Sequence, residues 1–355
     1  MVALAQLAGC HQVFGVDHVE QAAAWLPGLA ARKVLTVAPP TDTTLTDVPI
    51  GVIVDDDELA TTARTDGRDI IVTAADGTTR LDHELEHYAG GKLVAWVRVP
   101  RLAGTTRLYL NNGGDAASDA ATTWSTRYGA VWHLAGAAPN IEPDSTGHGN
   151  ALREGATTAQ PAQTPGIAGF GRLFDGGDDR LTATHAASID AGAGSLSVSL
   201  WVRVDDTLGG YDSPLGKGGT RDEIAGYVVQ LGTDAWTGSV SDGVDQVQFP
   251  LGTSTLAGAW THLAMVIDRD ARQLRGYADG VALSPVALGA LTSCASPTFD
   301  LALSPVYDPF RGAIDEVRIV REALPAAWFE VEAANLRDPS FLTLGPEQRP
   351  PDDAR

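Results

Sequence analysis

Apolar and polar residues alternate with a period of two through much of this chain. Residues 79–88 show it most plainly. Leu81, His83, Leu85 and His87 share one parity, and Arg80, Asp82, Glu84 and Glu86 share the other. Successive side chains of a strand leave opposite faces of the sheet, so this pattern predicts a half-buried strand. Strands are predicted upstream at residues 34–37, 48–54 and 69–73. The last ends at Asp76-Gly77, a dipeptide suited to the positive φ angles of a hairpin turn. Residues 92–100, 106–110 and 130–134 read the same way, with a loop of small residues over 111–123. Residues 11–31 carry only a weak helical pattern.

A polar stretch containing Pro139, Pro143, Pro161 and Pro165 follows and marks a boundary between domains. Beyond it, short strands are predicted at 171–175, 196–204, 226–231, 245–249, 260–268, 273–277, 299–303 and 313–320, the spacing of a sandwich. Residues 324–336, with Pro325 near their start, read as a helix. The segment from Gly345 is rich in Pro, Glu and Asp and is expected to fray. The chain of 355 residues is therefore expected to be all-β. It divides into an N-terminal segment (1–31), a β domain (32–134), a second β-sandwich (135–340) with a short C-terminal helix, and a tail (341–355).

Composition narrows the function. Lys and Arg number 25 against 45 Asp and Glu, a formal charge of −20. A field of that sign repels phosphate backbones and anionic lipid, which argues against a nucleic-acid partner. No apolar run approaches the roughly 20 residues of a membrane helix. Gly 39 and Pro 20 suit a turn-rich β protein. The two cysteines, Cys10 and Cys294, are too few for a disulfide framework or a four-thiolate zinc site. Leu7-Ala-Gly-Cys10 resembles the lipobox of bacterial lipoproteins, which implies lipidation at Cys10, an extracytoplasmic location at the cell surface or outer membrane, and membrane contact only through that anchor. A lipoprotein signal also needs a basic n-region and a longer apolar stretch, and neither precedes Cys10 here. An ordinary apolar N-terminal segment, with or without a Cys10–Cys294 disulfide, fits the same residues.

Six phrases of the second half resemble, in order, the laminin-G-like branch of the concanavalin A-like lectin/glucanase superfamily. They are Asp144-Ser-Thr-Gly-His-Gly-Asn150, Leu173-Phe-Asp-Gly-Gly-Asp-Asp179, Leu196-Ser-Val-Ser-Leu-Trp-Val202, Trp260-Thr-His-Leu-Ala264, Leu274-Arg-Gly-Tyr-Ala-Asp-Gly280 and Gly312-Ala-Ile-Asp-Glu-Val-Arg-Ile319. The resemblance implies a two-sheet jelly roll that binds sugars or protein surfaces. It also implies a structural Ca2+ at Asp315, with Asp175 and Asp178 as further candidate ligands. The alternative for Asp315 is a carboxylate that accepts backbone amides without a metal. Trp201, Trp260 and His262 read as structural residues. Residues 32–134 resemble a bacterial domain family of unknown function (DUF2341) that often precedes a laminin-G-like module. The carrying phrases are Asp69-Ile-Ile-Val-Thr-Ala-Ala-Asp-Gly77, Leu81-Asp-His-Glu-Leu-Glu-His-Tyr88, Leu93-Val-Ala-Trp-Val-Arg-Val-Pro100 and Val131-Trp-His-Leu134. That resemblance implies architecture and no chemistry.

His83-Glu-Leu-Glu-His87 also matches the zinc-protease signature H-E-x-x-H. That chemistry needs a helix, where histidines four apart share a face. On a strand the two would lie about 13 Å apart at ~3.3 Å per residue, too far to share an ion at ~2 Å bonds. Glycosidases of this fold carry an E-x-D-x-E-like run to place two carboxylates. None occurs here, and Asp315-Glu316 are expected on opposite faces of a strand. A sugar site needs an aromatic platform with polar groups; Tyr211 and Trp236 are the candidates. The expectation is a non-catalytic binding or adhesion protein whose partner is a glycan or a surface protein. A hydrolase (glycosidase, or zinc protease at His83/His87) and a structural envelope component are the alternatives.

Overall fold

The structure is a computed structural model that describes residues 23–113, 120–136, 141–155, 159–205, 212–218, 224–233, 235–253 and 257–351. Two β-sandwiches follow each other along the chain. In the first, a four-stranded sheet (Leu342–Gln348, Ala31–Val37, Thr106–Asn112, Ile71–Thr73) faces a three-stranded one (Leu45–Asp55, Lys92–Leu102, His83–Ala89). Val37, Val48, Ile50, Val52, Val72, Leu81 and Val97 are among the side chains buried in its core. Gly77 takes φ 79° at the turn after Ile71–Thr73, the left-handed conformation that Asp-Gly announces.

The second sandwich is built from a nine-stranded and an eight-stranded sheet, both antiparallel. Its interior is filled by the inner parities of the strands. Leu196, Val198, Leu200, Val202 and Val204 come from Leu196–Val204, and Leu263, Met265 and Ile267 from Trp260–Asp268. The intervening Ser197 and Ser199 face the helix Ala326–Arg337 and the turn before it. There Ser197 Oγ donates to the Glu322 carbonyl at 2.7 Å and Ser199 Oγ to Glu332 Oε1 at 2.8 Å. Small residues alternate with large ones in this strand because one face meets the opposite sheet and the other must admit a helix.

The helix joins the two sandwiches. Trp328, Phe329 and Val331 lie in the same apolar cluster as Ile50, Val97, Val266 and Tyr277. Asn335 pairs with the backbone of Gly51: its Nδ2 donates to the Gly51 carbonyl at 3.0 Å, and its Oδ1 accepts the Gly51 amide at 2.7 Å. A side chain at Gly51 would meet the Trp96 ring at 3.0 Å.

Three boundaries differ from the expected ones. The strand Tyr128–Trp132, assigned above to the first domain, pairs with Arg311–Val320 of the second sandwich. Ala31 opens a strand, and most of the weak helical segment lies outside the described residues. The expected frayed tail is instead the strand Leu342–Gln348, in register with Ala31–Val37 from Val37↔Leu342 to Arg32↔Gln348. Phe341 just before it is 1% exposed. A chain ending at Ser340 is thus expected to lose an edge strand and an anchoring Phe worth about 3 kcal/mol or more. Amide exchange should accelerate in Ala31–Val37 and Thr106–Asn112 while Trp260–Asp268 stays protected. Unchanged exchange in the first sheet would show that the pairing contributes nothing.

Candidate functional site

The strand Asp212–Gly218 was not expected from the sequence, because Pro214, Gly216 and Gly218 read as loop. It lies in the middle of the eight-stranded sheet. Leu215 points into the core, so Gly216 points away from it. Across the sheet Gly216 is level with Val228 on one side and Ala302 on the other, and Ala302 is level with Thr182. Four short side chains in a row over four strands, at ~4.8 Å per strand, make a trough roughly 14 Å long. The cavity above it measures about 510 Å³. Ile224, Phe299, Val306 and Tyr307 wall it, with Arg180, Asp300 and Asp308 as its charged groups. Val306 and Tyr307 are 63% and 80% exposed.

The walls are held from beneath. Lys217 lies on the core side of its strand and is fully buried. Its Nζ donates to the Ser296 carbonyl at 2.9 Å and the Phe299 carbonyl at 2.8 Å, and it lies 3.1 Å from His185 Nδ1. Burial lowers its pKa. The loop carrying Tyr307 is pinned by buried Phe310, whose amide donates to Ser304 Oγ at 3.0 Å. The Trp236 ring packs 6.5 Å from the Phe310 ring. Trp236 is 0% exposed, so it is no sugar platform and supports the groove only through Phe310. Its alternation with small residues in Ala235–Ser241 places it inward. The exposed aromatics at the trough are Tyr307 and Phe299; Tyr307 lies in Ser-Pro-Val-Tyr-Asp-Pro, which reads in the sequence simply as a turn. Tyr211 and Cys10 lie outside the described residues. Cys294 is a free, buried thiol whose Sγ accepts from Arg269 Nη2 at 3.1 Å.

His83–Ala89 is a strand, which removes the helix that the zinc-protease alternative requires. A bulge falls between Leu85 and His87, with Leu85 opposite Ala95 and His87 opposite Val94. It separates the two histidines. His83 is buried in the first sandwich, its ring nitrogens 3.1 Å from the Leu81 and Ile70 carbonyls. His87 packs edge-on against Phe170 of the second sandwich.

Glu84 and Glu86, on the parity expected to meet water, instead meet the second sandwich. Glu84 accepts from Trp124 Nε1 at 2.6 Å and Ser145 Oγ at 2.7 Å, and lies 3.3 Å from His133 Nε2. Glu86 accepts from Trp96 Nε1 at 2.8 Å. His133 Nδ1 is 2.7 Å from Glu316 Oε1 and 3.5 Å from Glu86 Oε2. Arg318 bridges Glu316 at 2.8 Å and Glu332 at 3.0 Å, with its guanidinium 4.4 Å above the Trp96 ring. Burial and the neighbouring Glu316 push Glu86 up to about 8, while the surrounding carboxylates hold His133 well above its ordinary range. Glu86, His133 and Glu316 have the donor types of a metal site. Here His133 pairs with Glu316 and Glu86 Oε2 accepts an indole N–H, while Glu86 Oε1 is buried without a hydrogen-bond partner, and the cluster forms a polar seam between the sandwiches.

The expected calcium set is not brought together. Asp315 is fully buried; its Oδ2 accepts the Ile167 and Ala168 amides at 2.8 and 3.1 Å, and its Oδ1 accepts the Glu316 amide at 2.9 Å. Burial and the Glu316 charge keep its pKa well above the usual value. In the antiparallel ladder Asp175 is level with Arg311 and Arg172 with Ile314, so Asp315 lies about four residues, or ~13 Å, along the strand from Asp175. Nor do Asp315 and Glu316 split across the sheet. Glu316 has φ 49° beside a register shift, and the charge of Glu86 is felt by both carboxyls. Asp175 and Asp178 converge instead with Asp179 on the Phe-Asp-Gly-Gly-Asp-Asp turn. Asp179 Oδ2 accepts the Asp175 amide at 3.0 Å, and burial and the two neighbouring carboxylates raise the Asp179 pKa.

Residues 175–329 match the family model described as the concanavalin A-like lectin/glucanases superfamily. A search of curated proteins finds no match. Similar solved structures include the binding domain of Paraclostridial mosquitocidal protein 1. Its identity is 13% and its TM-score 0.47, covering 58% of this chain and 52% of that one. The binding domain of botulinum neurotoxin serotype G has 14% identity and a TM-score of 0.46, covering 58% and 50%. That of botulinum neurotoxin DC, solved in complex with rat synaptotagmin II, has 13% identity and a TM-score of 0.46, covering 60% and 52%. This chain spans about half the length of each. Residues 175–329, which make up most of the second sandwich, are thus similar to a concanavalin A-like lectin/glucanase domain.

Proposed function

We propose that this is a non-catalytic binding protein of the bacterial cell surface, and that the trough over Gly216 is where it holds a carbohydrate or surface protein. One observation carries the reading. The eight-stranded sheet turns a row of short side chains outward under exposed Tyr307, Val306 and Phe299, an apolar concavity with a few charged groups at its margin. Exposed aromatic surface at the rim of a concavity suits a ligand. Lipidation at Cys10, a DUF2341 identity for the first sandwich and an extracytoplasmic location belong to the same reading. So does calcium, for which the Asp175, Asp178 and Asp179 carboxylates are the oxygen donors that suit a hard cation.

Array binding to glycans and surface proteins tests this, with and without a chelator. Gly216→Trp is the sharpest variant. Gly216 has no left-handed backbone, and a Cβ there meets Val228 and Pro305 at 3.5 and 3.7 Å, ordinary contact distances. The indole would fill the trough and leave the core untouched. Binding is expected to fall at least ten-fold with little change in Tm, and Tyr307→Ala to weaken it several-fold. Ligand binding undiminished by Gly216→Trp would move the site elsewhere. A broad hydrolase screen that found turnover would replace the reading altogether.

A further inference from the structure

We infer that the trough is built for an acidic saccharide, with Arg180 as the residue that pairs with the sugar carboxylate. This rests on the groove being the ligand site. Among the described residues four arginines, Arg80, Arg153, Arg180 and Arg321, make no side-chain hydrogen bond or ion pair. Arg80, Arg153 and Arg321 are exposed, where water solvates the charge. Arg180 is half-buried and lines the trough beside Phe299 and Tyr307. In a chain with 45 acidic against 25 basic residues, a half-buried guanidinium without a carboxylate partner is a position kept open. Its planar fork matches a carboxylate in bidentate fashion.

The other charged groups say what the rest of the ligand offers. Asp300 and Asp308 line the same trough. Asp300 Oδ1 already accepts the His185 amide at 2.9 Å, and Asp308 Oδ2 accepts Gln230 Nε2 at 3.3 Å. The remaining lone pairs of Asp300 need donors. A ligand that carried only negative charge would be repelled by two carboxylates. One with several hydroxyl donors and a single carboxylate satisfies Arg180 and Asp300 together. The floor and walls fit the same ligand: the short side chains of Gly216, Ala302 and Thr182 admit a flat ring, and Tyr307 and Phe299 line the trough with aromatic surface that suits its C–H groups. A length of roughly 14 Å accommodates about three sugar rings.

The test is titration calorimetry with a panel of uronic- and sialic-acid oligosaccharides, each also as its methyl ester, which keeps the hydroxyls and shape but lacks the charge. At least one acid is expected to bind ten-fold or more tightly than its ester, with the preference shrinking as salt is raised. Arg180→Gln is expected to abolish the preference with the Tm unchanged, and Arg180→Lys to restore part of it. Esters binding as well as acids, or a preference that survives Arg180→Gln, would overturn the role of Arg180 and leave the groove standing. No binding of any saccharide in either form would overturn this inference, and a protein ligand lost in Gly216→Trp would then show that the groove itself still holds.

Discussion

Arg318→Met is expected to destabilise the protein by about 3–5 kcal/mol, the range found when one partner of a buried ion pair is removed. Arg318 is 3% exposed and is the cation shared by Glu316 and Glu332, which are themselves 1% and 8% exposed. Methionine fills much of the volume over Trp96 but leaves two buried carboxylates without their guanidinium. One of them, Glu332, is held down to about 2 chiefly by Arg318 and would rise sharply. Because these groups join the strand Arg311–Val320 to the helix Ala326–Arg337, and through His133 to Glu84, the loss should be felt in both sandwiches. Denaturant unfolding checks it. The triple variant that adds Glu316→Gln and Glu332→Gln should regain much of the loss, because the amides remove the stranded charges. A single variant within 1 kcal/mol of the parent would mean that water reaches the seam.

That seam shows how far the sequence could be read. Period-two alternation placed Glu84 and Glu86 on one face of a strand with Arg80 and Asp82. Alternation reports that a face is polar; it does not say whether water or another domain covers it. The covering became visible only once Leu342–Gln348 returned to pair with Ala31–Val37 and drew the sandwiches together. The bulges at Glu86 and Glu316 left no mark either, because Glu316 takes φ 49° without a glycine to announce it. Strands built on large β-branched and aromatic residues, such as Leu196–Val204 and Trp260–Asp268, were found with their full extent. Asp212–Gly218 was missed for the reason that makes it interesting: the small residues that floor the trough are those that weaken a strand pattern. Tyr307 and Arg180 carried no signal of their own, since what singles them out is the concavity between them.

The pH dependence of stability follows from the same seam. Glu86 is an acid whose folded pKa is about 8 against an ordinary 4.5. Between those values the folded protein keeps a proton that the unfolded chain has lost. Stability therefore falls as pH rises through that window, by about 1.4 kcal/mol per unit for one proton. His133 adds to the slope. Its folded pKa is raised well above 6.5, so the stability it contributes is complete below 6.5 and is lost as pH climbs through the folded value. Glu84 and Glu332 work the other way. Both are lowered, so their contribution is present above about 4.5 and is lost as pH falls through the folded values, about 2 for Glu332. The seam should hold the sandwiches most tightly on the mildly acid side, near pH 5, and loosen toward pH 9. Glu86→Gln keeps an acceptor for Trp96 Nε1 and cannot ionise. It is expected to match the parent near pH 5, exceed it by a few kcal/mol at pH 9, and show a slope flatter by about one proton between. Parallel stability–pH curves for the two proteins would mean that Glu86 is ionised in the fold, and that the seam sets the four carboxylates of Glu84, Glu86, Glu316 and Glu332 against the two cations of His133 and Arg318.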